Sequence, residues 1–172
     1  LYTILGAGFE TSAQMLAHGM GAILERPDQW KLLQEDPELL DSAVEEMLRH
    51  RTLVKRIFRV ANRDMEVAGV TIPEGALVTL LLASADRDES VYEDADEFDI
   101  RRNPDHLAFG KWKHFCVGAP LARLEMKITL ETMIERIPDA RVATDQELQW
   151  RPDIRLDAVT KFDLEWEPRQ AA

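Results

Sequence analysis

Cysteine is almost absent from this chain: Cys116 is the only one in 172 residues. That excludes an internal disulfide framework and any metal site built on several thiolates. Long apolar runs are missing too, with no stretch of about twenty apolar residues that would read as a membrane-spanning helix. Basic residues are in deficit, 21 against 32 acidic ones, for a formal net charge of −11. A non-specific nucleic-acid binder needs basic patches to displace counterions, so that class is not expected. The chain opens on Leu1-Tyr2-Thr3 with no start Met and no basic–apolar–small leader pattern, and it reads as part of something longer.

What is there is the composition of a globular domain, 45% hydrophobic and 31% charged. Neither a repeat nor a Ser/Gly linker divides the chain, so residues 1–172 read as a single, partial domain. Leu1, Ile4, Leu5, Met15, Leu16 and Ile23 recur at helical spacing. Arg26-Pro27-Asp28 and Asp36-Pro37 interrupt the pattern, which predicts a long helix, a short one over 28–35 and a third over 37–50. Residues 53–82 read as strands, with turns at Ala68-Gly69 and Pro73-Glu74-Gly75. An irregular meander follows from 84 to 115, acidic over 86–99 and basic from Arg101 to His114. Loops of that length are usually functional or disordered. A helix over Ala119–Ile137, apolar on most sides and so expected to be buried, ends at Pro138. Short strand-like pieces such as Val159–Trp166 close the chain.

Three local features carry chemistry. The apolar stripe of the first helix runs into Gly8, Thr11 and Ser12, where a mid-helix glycine costs about 1 kcal/mol. A small residue and a hydroxyl on that face suit a closely packed neighbour wanting a polar contact; Glu10 beside Thr11 makes a candidate proton-relay pair, and a simple packing notch is the plainer reading. Glu46 and Arg49 stand three apart on one helix face, either as a surface ion pair of little worth or as a buried pair that further arginines complete. Cys116 lies just before a helix N-terminus, near Lys113, His114 and Arg123, which favours thiolate. It is open to three readings: nucleophile, axial metal ligand, or small buried apolar residue.

In this order the pieces resemble the C-terminal part of a cytochrome P450, the haem-thiolate monooxygenases. Ala7-Gly8-Phe9-Glu10-Thr11 is similar to that family's oxygen-activation motif, Glu46-Met47-Leu48-Arg49 to its Glu-x-x-Arg, and the loop Phe109–Gly118 with Ala119-Pro120-Leu121-Ala122-Arg123 to its haem-binding signature. The resemblance implies a mainly α fold with small β-sheets (α+β), a long central helix, a Glu-x-x-Arg helix, a meander and a cysteine-ligand loop. It implies haem b, iron protoporphyrin IX, with Cys116 as axial ligand. Phe109 and the loop glycines Gly110 and Gly118 would pack beside it, His114 and Arg59 would bind the propionates, and Ala7 and Gly8 would face the ring. Glu46 and Arg49 would join a meander arginine, Arg102 ahead of Arg101. Thr11 and Glu10 would relay protons as O2 is activated, and Leu5, Leu53, Ile57 and Val159 would border a lipophilic or bulky organic substrate.

The implied activity is insertion of one oxygen atom from O2, with electrons from NAD(P)H through a ferredoxin- or flavodoxin-type donor, in the cytoplasm. Lys111, Lys113 and Arg123 would form a basic docking face for an acidic donor. Alternatives are a haem-thiolate peroxygenase, which the Glu10-Thr11 pair disfavours, and a degenerate chain acting as an interaction module. Departures from the family pattern are Trp112 where glycine is usual, a meander one residue short between Phe98 and His106, and a length under half the usual. A tryptophan at 112 is expected to be awkward in both backbone conformation and volume.

Overall fold

A computed structural model describes residues 2–144, 146, 149–151, 156 and 158–168, and the side chains of these except at 2–4 and 150. The first helix, α1, runs Tyr2–Leu24 and is followed by α2, Pro27–Glu35, which Pro27 opens in its first turn. Asp36 breaks the chain there, its carboxylate accepting the Glu38 N–H to begin a short 3₁₀ turn, Pro37–Leu39, that leads into α3, Leu40–His50. The strand zone consists of β1 (Arg56–Val60), β2 (Met65–Val67), β3 (Val70–Ile72) and β4 (Leu77–Leu81). β1 pairs antiparallel with β4 and encloses the β2–β3 hairpin, with Arg59 opposite Val78. A single-turn helix α4 (Leu82–Ala85) opens the meander, and α5 (Ala119–Arg136) closes the helical part. The tail nests in the same way: β5 (Arg141–Val142) pairs with β8 (Leu164–Glu165), and β6 (Gln149–Arg151) pairs with β7 (Ala158–Lys161) inside it.

The core lies where α1, α3 and α5 cross. Ile23, Met47, Met126 and Leu130 meet there, and none is more than 1% exposed. Gly19 permits that approach: a Cβ on it would collide with the Met47 Cε and sit 2.9 Å from the Met126 Cε. Any larger residue there would require both methionine ends to shift. Trp30 ties α2 to the far end of α5 through its indole N–H, which donates to the Pro138 carbonyl at 2.7 Å.

Two expectations change here. α5 buries a single face, through Ala119, Met126, Leu130 and Met133, while Leu121, Leu124 and Ile128 are exposed. Its apolar residues surround the helix, but among the described residues only one face is covered. The same holds for the Gly8 end of α1. Leu5 and Phe9 are 64% and 84% exposed, so no described residue of this chain packs into the supposed notch.

The meander is held by α3. Glu46 and Arg49 are both fully buried. Arg49 donates Nε and Nη2 to the two carboxylate oxygens of Glu46 at 2.7 and 2.8 Å, and its remaining hydrogens to the carbonyls of Asp86, Ala95 and Glu97. Glu46 also accepts the Asp99 N–H at 3.0 Å and Arg102 Nε at 3.4 Å. Arg101 instead turns outward to Asp99. Removing one partner of such a pair strands a buried charge, so Arg49→Ala should cost about 3–5 kcal/mol in the urea unfolding of the full-length protein. Arg101→Ala should stay within about 0.5 kcal/mol.

His50, at the end of α3, gives a pH signature. Burial lowers its pKa to about 3, and the cations of Arg87, Arg26 and Arg51 push the same way against the Asp96 carbonyl it bonds. The unfolded imidazole therefore takes up a proton below its usual value of 6.5 that the folded one refuses. Stability should fall as pH drops from about 6.5 toward 3, and urea midpoints of His50→Gln should show a flatter limb between pH 7 and 5.

Candidate functional site

The segment from Phe109 to Gly118 forms a closed loop between the meander and α5. Gly110 turns the chain with φ of 71° while its N–H bonds the Leu107 carbonyl at 2.8 Å. A 3₁₀ turn, Trp112–His114, then brings Phe115 N–H to the Trp112 carbonyl. Cys116 N–H closes the loop on the Phe109 carbonyl at 2.9 Å, and the Cys116 carbonyl receives Ala119 N–H at the start of α5. The thiol is exposed. A Cβ at Gly118 would lie 3.8 Å from its sulfur, in ordinary van der Waals contact.

Trp112 has φ of 57°, the left-handed region that glycine enters freely. Its side chain is 87% exposed. The conformational objection to a tryptophan therefore stands, while the volume objection falls: the ring points to solvent and displaces nothing.

Behind the loop, Phe109 is gripped from several sides. The Arg123 guanidinium lies 4.8 Å from its ring centroid, and the His106 and Phe115 rings are 5.9 and 6.3 Å away. Arg123 in turn forks onto Glu45 of α3 at 2.6 and 2.7 Å, and His106 Nε2 meets the same carboxylate at 3.1 Å. Burial raises the Glu45 pKa, but the bonds from Arg123 and His106 and their charges outweigh it and hold it at about 2. Asp86 supports the loop's approach, accepting Leu107 N–H at one oxygen and the Thr52 hydroxyl at the other, both at 2.7 Å.

Two of the three cations of the expected basic docking face are ion-paired. Arg123 is committed to Glu45, and Lys111 pairs with Asp105 at 2.8 Å. Lys113 and His114 remain exposed and make no ion pair among the described residues. Arg59 is also exposed on β1, where it donates to the neighbouring Phe58 carbonyl.

On α1 the Thr11 hydroxyl donates to the Ala7 carbonyl one turn back, and Glu10 pairs with Arg151 of β6. One turn further on, Gln14 clamps the Val159 backbone, donating to its carbonyl at 3.0 Å and accepting its N–H at 2.7 Å. A Cβ at Gly8 would meet nothing within 4 Å, so this face of α1 opens on free space. Among the residues expected to border a substrate, Leu5 is exposed, and Ile57 and Val159 are half-buried. Leu53 is 7% exposed and packs into the core cluster instead. The fold thus brings together Glu46 with Arg49 and Arg102, and Phe109 and Gly118 with Cys116. Among the described residues no hydrogen bond joins the Ala7–Thr11 end of α1 to the cysteine loop. Glu45, Asp86, Gln14 and Arg151 are site residues that sequence reasoning missed. Only Glu45 left a trace, as a second acid beside Glu46.

The family model described as Cytochrome P450 matches residues 1–137. The chain belongs to the cytochrome P450 family. It is 46% identical over 151 residues to a steroid C26-monooxygenase of Mycobacterium tuberculosis (strain CDC 1551 / Oshkosh), covering 87% of this chain and 41% of the relative. It is 39% identical over 162 residues to the biotin biosynthesis cytochrome P450 of Bacillus subtilis (strain 168), covering 94% and 41%. The crystal structure of P450BioI in complex with hexadec-9Z-enoic acid ligated acyl carrier protein superposes with a TM-score of 0.90 at 38% identity, covering 94% of this chain and 42% of that one. The chain therefore spans about two-fifths of the length of these P450 relatives.

The residues present fit the haem of a P450. The lone thiol is exposed beside Phe115 and Val117, apolar surface that suits the face of such a ring. Arg59 and His114 offer exposed donors of the kind that bind carboxylates. Trp112→Gly relieves the left-handed strain and loses no packing. Its unfolding free energy should be unchanged or up to about 1 kcal/mol higher, where truncating a buried tryptophan costs about 3–5 kcal/mol.

Proposed function

We propose that this chain is the C-terminal portion of a haem-dependent P450 monooxygenase. It would insert one oxygen atom of O2 into a lipophilic or bulky organic substrate, with electrons from NAD(P)H through a redox partner. The observation that carries the reading is the exposed Cys116 thiol on a loop closed by the Phe109 carbonyl at the head of α5. When bound, the haem supplies O2 activation, for which thiolate ligation in this family is known to push electron density toward O–O cleavage.

The chain's own residues hold and serve that chemistry. Cys116 would supply the sulfur ligand, and the backbone bond from its N–H to Phe109 fixes where the sulfur stands. Arg59 and His114 would hold the propionates as hydrogen-bond donors to carboxylates. Gly8 would keep its part of α1 free of side-chain bulk. Thr11 holds its hydroxyl against the Ala7 carbonyl, poised to pass a proton, and Glu10, paired with Arg151, is the carboxylate beside it that would take part in the relay. Leu5, Ile57 and Val159 border the substrate with apolar surface, a lining that matches a lipophilic molecule. Relatives named for steroid oxidation and for an acyl-carrier-bound fatty acid support that class. Lys113, with Trp112 beside it, is the cationic point left for an acidic ferredoxin- or flavodoxin-type donor. No helix among the described residues is long and apolar enough to cross a membrane. By analogy with its bacterial relatives, we place the protein in the cytoplasm.

The full-length protein, reduced and exposed to carbon monoxide, should give the red-shifted Soret band of thiolate-ligated haem. Cys116→Ala should abolish it. Thr11→Ala should keep the band while oxygen consumption separates from product formation. A histidine-type band in the native protein would overturn the assignment of Cys116.

A further inference from the structure

Consecutive residues of a helix lie about 100° apart around its axis, so Glu45 and Glu46 face different partners. Glu46 serves the meander; Glu45 serves the cysteine loop. Its carboxylate accepts Nε and Nη2 of Arg123 at 2.6 and 2.7 Å and meets His106 Nε2 at 3.1 Å. His106 Nδ1 accepts Ala108 N–H at 3.1 Å, which assigns the ring proton to Nε2 and makes that nitrogen the donor to Glu45. Both of these partners press on the ring of Phe109. The carbonyl of Phe109 is the acceptor that holds Cys116 N–H at 2.9 Å. The chain of contact is continuous from α3 to the cysteine.

We propose that Glu45 is a positioning residue for the Cys116 ligand. It acts by fixing Arg123 and His106, which set the ring of Phe109 and so the carbonyl that anchors the cysteine. The inference rests on the reading of Cys116 as the haem ligand. Without the carboxylate, Arg123 loses the acceptor that fixes its plane, the ring of Phe109 loses that cover, and the carbonyl that anchors Cys116 N–H is held less firmly. A thiolate held less firmly would be a weaker donor, and the potential of an iron bound to it would rise. Lysine cannot replace Arg123, because an ammonium neither forks onto a carboxylate nor stacks on a ring.

The test uses the full-length, haem-loaded protein and carbon monoxide as the probe. Glu45→Ala should raise the fraction of carbon monoxide complex lacking the thiolate band at least threefold. The reading is made at a urea concentration where circular dichroism is still native. Glu45→Ala should also shift the haem reduction potential in the positive direction. Arg123→Lys should reproduce both effects, and Glu45→Gln, which keeps one acceptor for Arg123, should fall between Glu45→Ala and the native protein. The two milder variants carry the comparison if Glu45→Ala does not fold. Leu130→Ala, a core truncation outside the network, calibrates loss of global stability. An unchanged band and potential in Glu45→Gln and Arg123→Lys would overturn the proposal. So would equal shifts in Leu130→Ala at matched stability. A native protein without the thiolate band would instead sink the ligand reading itself, before any variant is compared.

Discussion

The guanidinium of Arg49 has five N–H groups, and the fold uses all of them: two on Glu46 and three on the carbonyls of Asp86, Ala95 and Glu97. A fully buried cation is tolerable only under that condition, since each unfilled donor would leave part of a charge in a medium of low polarisability. The arrangement organises a segment with almost no regular structure. The meander cannot satisfy its backbone by a ladder, so α3 supplies a side chain as the common partner for carbonyls many residues apart. Glu46 completes the hub from the other side by taking the Asp99 N–H and Arg102.

The approach to the cysteine loop inherits that rigidity. Asp86, whose carbonyl Arg49 holds, uses its carboxylate on Thr52 and on the Leu107 N–H. Leu107 stands two residues before the loop begins at Phe109. A second acid on the same helix, Glu45, reaches the loop through His106 and Arg123. The helix α3 therefore meets the cysteine loop and its approach by two routes, through Arg49 and Asp86 and through Glu45. Its function is that of a scaffold: none of these side chains touches Cys116.

The opposite side of the molecule is unfinished. The Gly8 end of α1, the cysteine loop and one face of α5 all expose large apolar residues, a pattern that marks surfaces meant to be covered. The chain spans about two-fifths of the length of its relatives. Trp112 is the exception, for it spends backbone strain on an exposed ring that points to solvent.

Much of this was legible in one dimension. Apolar spacing marks α1, α3 and α5; Pro27 and Pro37 mark the breaks between the early helices; and β-rich runs around Gly69 and Gly75 mark the nested hairpins. Those signals are local, a matter of which face each residue presents and which residues can turn the chain. The spacing of Glu46 and Arg49, and a lone cysteine before a helix, were visible for the same reason. The preference for Arg102 over Arg101 came from the family resemblance and agrees with the contact to Glu46. Local spacing alone does not give it, because it depends on which of two adjacent side chains the meander turns inward. Nor does it give the fate of Arg123, whose partner Glu45 is 78 residues away. Periodicity and residue chemistry are properties of the linear chain, and they were enough to mark the elements, the family and the single thiol. Which charges are spent internally, which apolar faces stay open and what holds the cysteine loop emerged only on folding, because each depends on donors and acceptors brought together across the whole chain.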